Sequence, residues 1–302
     1  MSRLLLERGS LAAALLARSQ HALACGAMQP IRTDEEIVPD GGMEFIVRRV
    51  SSLERKERLK QPNGQKAPSD ADPFLPHEPD LFVADLTQSH FSLLNKFNVI
   101  ERHLLIVTRA FVPQEMLIDM QDFEALAACM AEIDGLAFYN AGAMAGASQP
   151  HKHLQLVPLP LGRRGPTLPV EALFGPVTGR DGPQRVPGLA FRHALAWLDH
   201  TAFDDVGTAA RQLHASYLAL LAVTGLAAKD SRREACQAGP YNLLATRRWM
   251  LLVPRSSERC NSIAVNALGF AGSLFVRDAA QLSLLKRIGP MAVLRGTAVA
   301  LA

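Results

Sequence analysis

Apolar positions alternate, or run on briefly, in five short stretches between residues 80 and 159. These are DLFVADL (80–86), SHFSLLNKF (89–97), RHLLIVT (102–108), LAFYN (136–140) and HKHLQLVPL (151–159). Each has the length of a strand and is bounded by turn residues. One helical pattern interrupts them, from about Asp119 to Asp134, where Gly135 stops it. Further on, AFRHALAWL (190–198), YNLLATR (241–247), WMLLVPR (249–255), SIAVNAL (262–268) and GSLFVRD (272–278) predict strands. The helical patterns there cover 205–225 and 278–289. Because most strands follow one another with no crossover helix between them, the pattern predicts an α+β fold on an antiparallel sheet. Near the start, Leu4, Leu11 and Leu15 recur at helical spacing while Glu7, Arg8 and Arg18 break the apolar run. That stretch reads as an amphipathic helix rather than a signal peptide.

Two stretches are punctuated by Gly and Pro. Residues 61–79 are polar and turn-rich, and residues 162–188 hold eleven Gly or Pro in 27 positions. The second divides the chain into an N-terminal half, 1–182, and a C-terminal half, 183–302. It still carries Leu168, Val170, Leu173 and Phe174, which predicts that it lies against the body. The halves echo one another. FNVIERHLLIVTR (97–109) is matched by YNLLATRRWMLLVPR (241–255), and NAGAMAGA (140–147) by NALGFAGS (266–273), identical at four of eight positions. This suggests a duplicated unit with a single chemical centre, since the His-containing strand has no counterpart in the second copy.

Composition narrows the chemistry. With 48% hydrophobic and 20% charged residues, the chain is that of a folded protein, and a net charge of +3 does not indicate nucleic acid as a partner. A local basic run, Arg48, Arg49, Arg55, Lys56, Arg58 and Lys60, is compatible with a phosphate ligand or with a solvated face. Cys25, Cys129, Cys236 and Cys260 show no Cys-x-x-Cys spacing and read as reduced thiols. No segment approaches the ~18 continuous apolar residues of a membrane span. The expected location is the cytoplasm, with no membrane partner.

The densest chemistry lies in ASQPHKHLQLVPL (147–159). On a strand His151, His153 and Gln155 share one face while Lys152, Leu154 and Leu156 share the other. Three readings of that polar stripe stand open: a metal clamp, histidines with structural partners only, or an imidazole nucleophile. A metal needs a third ligand, and Gln155 is a poor one for soft or borderline ions. A neutral imidazole carries the free lone pair that in-line attack on phosphorus requires. The preceding FYNAGAMAGASQ supplies Gly142, Gly146 and small residues whose backbone can approach a phosphate, with Ser148 and Gln149 as donors. It lacks the Gly-Lys-Ser/Thr of a P-loop.

With these residues in view, LLNKFNVIERHLLIVTRAF, FYNAGAMAGASQPHKHLQLVPLPL, YNLLATRRWMLLVPRS and NALGFAGSLFVRD resemble the ATP adenylyltransferases, also called diadenosine tetraphosphate phosphorylases, of the histidine-triad superfamily. The resemblance runs from about residue 45 to 280. The related hexose-1-phosphate uridylyltransferases carry Pro where this chain has Lys152. The resemblance implies a histidine-triad-like antiparallel sheet with flanking helices. It also implies phosphorolysis of diadenosine tetraphosphate to ADP and ATP, or the reverse, through an AMP-histidine intermediate. Its nearest alternatives are transfer on another dinucleoside polyphosphate or nucleotide sugar, and nucleotide binding without catalysis. His153 is the implied nucleophile, Gln155 the group that holds the transferred phosphate, and His151 a residue that orients the site. Asn140, Gly146, Ala147, Ser148 and Gln149 are implied to line the phosphate path. Lys56, Asn95, Lys96, Asn266, Ala267, Leu268, Ser273 and Arg277 are the implied nucleotide contacts. Ala267 and Leu268 stand where hydroxyl residues occur in the family, and Arg277 where Lys does. The partners implied are diadenosine tetraphosphate, ATP, ADP and phosphate. No cofactor or protein-bound metal is implied; Mg can accompany the nucleotide as counter-ion. No oligomeric state is implied.

Overall fold

A computed structural model describes residues 3–50, 72–175, 182–227 and 236–301. Its centre is an eight-stranded antiparallel sheet. In chain order the strands are β3 (Phe82–Asp85), β4 (His90–Leu94), β5 (Leu104–Thr108), β6 (Gly135–Ala141), β7 (His153–Pro158), β8 (Ala194–Trp197), β9 (Tyr241–Ala245) and β10 (Trp249–Pro254). Across the sheet they run β3-β4-β5-β7-β6-β9-β10-β8. The β6–β9 pairing joins residues of the two halves in one continuous sheet, with Asn140 opposite Asn242.

Helices α1 (Leu11–Ala24), α2 (Met120–Glu132) and α3 (Val206–Val223) cover one face. Leu11, Leu15, Phe123, Leu126, Leu213 and Tyr217 pack there against Ile106, Leu154, Leu156, Leu243 and Leu252. Strong caps set the ends of two of these helices. Asp119 caps α2 in a box closed by Asp122, and Asp205 caps α3. Over the opposite face lie β1 (Thr33–Asp40), β2 (Met43–Val50) and β13 (Ser273–Val276), with β13 parallel to β2. They are joined by α4 (Ala267–Phe270), α5 (Ala279–Ile288) and α6 (Pro290–Thr297), and by a small ribbon of β11 (Arg259–Cys260) and β12 (Ile263–Ala264). Phe45, Ile46, Leu136, Val157, Leu251, Phe270 and Leu274 fill the layer between them. Leu168 and Val170 are buried in that layer, so the Gly/Pro-rich stretch does lie on the body.

Two expectations need correction. The β1–β2 hairpin and α6 have no counterpart in the sequence pattern as read above. SIAVNAL is not one strand: two residues pair in β12, and Asn266 caps the short helix α4. The longer echoing stretches each end in the second strand of a hairpin, β5 on β4 and β10 on β9, with differences around them. Residues 97–101 form a loop where 241–245 form β9, and α2 and β6 separate Arg109 from Asn140 where only β11 and β12 separate Arg255 from Asn266. Of the basic run, Arg48 is buried between Glu35, Ser273 and the Leu161 carbonyl, and Arg49 pairs with Asp34; Arg55, Lys56, Arg58 and Lys60 lie outside the described residues. No described helix is long and apolar enough to cross a membrane.

Candidate active site

The alternation of β7 places Leu154 and Leu156 in the helix-side core and turns His153 and Gln155 to the other face. There they line a cavity of about 550 Å³ between the sheet and the smaller layer. Lys152 follows the alternation to the helix side, where it forms a buried pair with Asp122 and donates to the Leu117 carbonyl at 2.7 Å. His90 meets the other oxygen of Asp122 at 2.9 Å. Burial alone would raise the Asp122 carboxyl, but the His90 bond and the Lys152 charge outweigh it and hold it below the usual range.

His153 sits with its Nδ1 at 2.7 Å from the His151 carbonyl. A carbonyl can only accept, so Nδ1 carries the hydrogen and the neutral ring keeps its lone pair on Nε2. Burial pushes the pKa down to about 4, against the bond to His151. The backbone is held as firmly: the His153 N–H donates to Gln114 Oε1 at 2.9 Å, and Gln114 Nε2 donates to the Asn140 carbonyl at 2.9 Å. Gln114 thus clips the end of β6 to the start of β7, on either side of the glycine-containing turn. Phe74 covers the ring, its centroid 5.1 Å away.

Gln155 is oriented by a relay. Asn95 Oδ1 accepts from the Phe97 N–H at 3.1 Å, so its Nδ2 is the atom that donates to His103 Nδ1 at 3.2 Å. His103 Nε2 therefore bears hydrogen and donates to Gln155 Oε1 at 2.9 Å. What remains is the Gln155 NH₂ group, a pure donor, on a residue that lines the cavity.

The residues expected in the site divide accordingly. Asn95, Lys96, Asn140, Gly146, Ser148, Gln149, Asn266, Leu268 and Arg277 line the same cavity as His153 and Gln155. His151, Ala147, Ala267 and Ser273 do not. The His151 ring is fully buried beside β7, which begins two residues later. Its Nδ1 meets Asp72 at 2.7 Å and its Nε2 meets the Thr108 hydroxyl and carbonyl at 2.8 and 2.9 Å. The reason for the Ser273 difference is its pairing: it is buried opposite Ile46 and takes a hydrogen bond from Arg48. Ala267 is buried too, its N–H spent on Asn140 Oδ1 at 2.9 Å. The Ala147 N–H is used within the turn, on the Gly142 carbonyl at 3.1 Å. Lys56 lies outside the described residues. Lys96 is on the cavity wall but ion-paired to Glu78 at 2.6 Å, so it does not face the cavity as a bare charge.

Sequence reading missed Gln114, Glu78, Arg259, Ser262 and Gln281, and assigned His103 no part in the site. A polar residue in the apolar strand RHLLIVT was the available signal for His103; Gln114, Glu78 and Arg259 lie in segments with no periodicity, while Ser262 and Gln281 stood in a predicted strand and helix with nothing to set them apart. Among the described residues, only His21, Cys25 and Asp80 are grouped as a metal would require, on α1 and the turn before β3. Gly146 shows why the turn needs glycine. Its φ is +90°, and a Cβ there would stand 2.9 Å from the Asn266 Cβ.

The chain is 26% identical over 273 residues to diadenosine 5',5'''-P1,P4-tetraphosphate phosphorylase 2 of Saccharomyces cerevisiae, covering 82% of this chain and 80% of that protein. It is 25% identical over 258 residues to Protein APA1 of the same yeast, covering 80% and 78%. The fold matches the crystal structure of yeast Ap4A phosphorylase Apa2, with a TM-score of 0.78 at 22% identity over 98% of this chain and 96% of that one. The Apa2 structure in complex with Ap4A matches equally well, with a TM-score of 0.78 at 21% identity over 98% and 99% of the two chains. The model of the Ap4A phosphorylase N-terminal domain matches residues 1–176 and that of the ATP adenylyltransferase C-terminal domain residues 187–300, and the chain belongs to this Ap4A phosphorylase family.

Proposed function

We propose that the protein is an ATP adenylyltransferase that phosphorolyses diadenosine tetraphosphate to ADP and ATP through an AMP-His153 intermediate. One observation carries this reading: a neutral imidazole, its Nδ1–H engaged by the His151 carbonyl, presents Nε2 to a cavity shared with the Gln155 amide. The Nε2 lone pair attacks the phosphorus of an AMP moiety, and the P–O bond to the rest of the tetraphosphate breaks, releasing ATP. The ring is then cationic, and the Nδ1–H bond to a carbonyl stabilises that charge. An oxygen of inorganic phosphate attacks the same phosphorus; the N–P bond breaks and ADP leaves. Run backwards, the same steps join ADP and ATP.

Gln155 supports phosphate rather than water as acceptor. Its NH₂ group can hold an oxygen of the transferred phosphoryl, but an amide exchanges no proton, so it gives water no general base. Arg277 on the cavity wall brings positive charge toward a polyanion, while Arg259 beside it is paired with Glu258 at 3.2 Å. The apolar wall, with Leu81, Leu94, Phe97 and Ile100, offers a surface for a nucleobase.

The test is to incubate the protein with diadenosine tetraphosphate with and without phosphate and identify the products. ADP plus ATP, only with phosphate, is the expected result; AMP plus ATP would make it a hydrolase. His153→Ala abolishes turnover and the trapping of labelled AMP on the protein, and full activity in that variant sinks the assignment.

A further inference from the structure

Asn140 lines the cavity at the end of β6, yet its side chain is governed from the other half of the chain. Across the β6–β9 pairing it faces Asn242, and behind Asn242 lies Arg255, just past the end of β10. Neither Asn242 nor Arg255 lines the cavity. Both are buried, and Arg255 has no ion-pair partner among the described residues.

The hydrogen bonds can be assigned one after another. A guanidinium has donors only. Arg255 spends its Nε on the Thr297 carbonyl at 3.0 Å and Nη2 on the carbonyls of Ser257 and Val265 at 2.7 and 2.9 Å. Its Nη1 donates to the Ala145 carbonyl at 3.2 Å and to Asn242. The Asn242 atom that meets Nη1 is therefore the oxygen, and Nδ2 is left for the opposite side. There it donates to the Ala145 carbonyl and to Asn140, each at 2.8 Å. The Asn140 atom receiving that bond also receives the Ala267 N–H at 2.9 Å. Two donors converge on it, so it is Oδ1. Asn140 is left with a single free group, Nδ2, as a donor on the cavity wall. The choice between oxygen and nitrogen at an amide is ordinarily ambiguous; here a cation at one end and a backbone N–H at the other fix every link.

We infer that Asn242 and Arg255 are positioning residues whose task is to turn the Asn140 amide so that its NH₂ group, not its oxygen, meets the phosphoryl group being transferred. This rests on the adenylyl transfer proposed above. With the relay of Asn95 and His103 behind Gln155, it places a second pre-oriented amide donor on the wall that His153 shares. An acceptor at the Asn140 position would instead repel phosphate oxygens. The C-terminal half, which lacks the histidine motif, thereby sets the polarity of a residue that N-terminal β6 supplies.

The isosteric change Asn242→Asp tests the inference. A carboxylate still accepts from Arg255 but cannot donate to Asn140, so Asn140 Oδ1 faces a carboxylate oxygen, and that repulsion turns the amide over, against the single Ala267 N–H that still favours the parent orientation. Parent, Asn242→Asp, Asn140→Ala and the double variant are compared at a temperature where circular dichroism shows all four folded. Two readouts are used, kcat/KM for phosphorolysis of diadenosine tetraphosphate and AMP affinity by calorimetry. Asn242→Asp is expected to lower kcat/KM roughly 10²–10³-fold and to weaken AMP binding about 10–100-fold. In the double variant the second substitution adds less than about threefold to Asn140→Ala, since Asn242 acts through Asn140. Parent-like AMP affinity in Asn242→Asp, or a double variant that loses the two single factors in full, overturns the inference. A parent with no phosphorolysis overturns the adenylyl-transfer reading instead, while the AMP series still decides the orientation of Asn140.

Discussion

Lowering the pH tests the state of His153 directly. Burial holds this imidazole at a pKa of about 4, where an unfolded chain would show the ordinary 6.5. Between those two values the unfolded chain binds a proton that the folded protein refuses, so stability rises with pH across that window and falls as pH is lowered through it. The contribution is complete above about pH 6.5 and is lost progressively toward pH 4. At about 1.4 kcal/mol for each tenfold difference in proton affinity, the loss approaches about 3 kcal/mol. The assay is urea unfolding of the parent and of His153→Asn at a series of pH values from about 7.5 to about 4.5. Asparagine removes the titration and keeps a polar side chain, and its fixed cost appears at every pH. Groups common to both proteins, including the buried His193 whose pKa is also lowered, cancel in the difference. The parent should lose about 2–3 kcal/mol more than the variant over that range. Parallel curves would mean that His153 titrates as an ordinary histidine, and the argument for a nucleophile that stays unprotonated in mild acid would fail with it.

Three further outcomes follow from the packing around the site. Lys152→Met leaves the Asp122 carboxylate buried without its cation, and should destabilise the protein by about 3–5 kcal/mol in denaturant unfolding; a cost under about 1 kcal/mol would show that His90 alone satisfies Asp122. Gly146→Ala forces a Cβ against Asn266 at a φ of +90°, and should cost about 1–3 kcal/mol by the same measurement, together with loss of phosphorolysis. His103→Leu releases the Gln155 amide, and should lower turnover roughly tenfold while raising the share of AMP among the products; an unchanged ratio of ADP to AMP would remove Gln155 from control of the acceptor.

How much of this was legible in the sequence depends on how far apart the partners lie. The period of HKHLQL was enough to put His153 and Gln155 on one face and Leu154 and Leu156 on the other, because a strand's side-chain period is local. Asp119, Asp205 and Asp278 marked helix starts for the same reason. The hairpin Thr33–Val50 was invisible because its partner strand, Ser273–Val276, lies more than two hundred residues away and its acidic outer positions mask the apolar ones. The same remote pairing explains Ser273, which the resemblance put on the nucleotide path and the sheet buries against Arg48. The strand begins two residues later than the period of HKHLQL suggested: His151 bridges to Pro113, its ring turns to Asp72 and Thr108, and its carbonyl holds His153 Nδ1.

The echo between the halves has a physical counterpart at the site. NAGAMAGA and NALGFAGS touch one another. Gly146 lies against Asn266, and Asn140 Oδ1 takes the Ala267 N–H. Both segments start with Asn followed by small residues because each must bring its backbone close to the other beside the cavity, and larger side chains at the contact would hold the two apart. Two related halves in contact beside one cavity share that packing demand. With a single chemical centre, the second half gives its polar residues to the first: Asn242 and Arg255 lie behind Asn140, which lines the cavity.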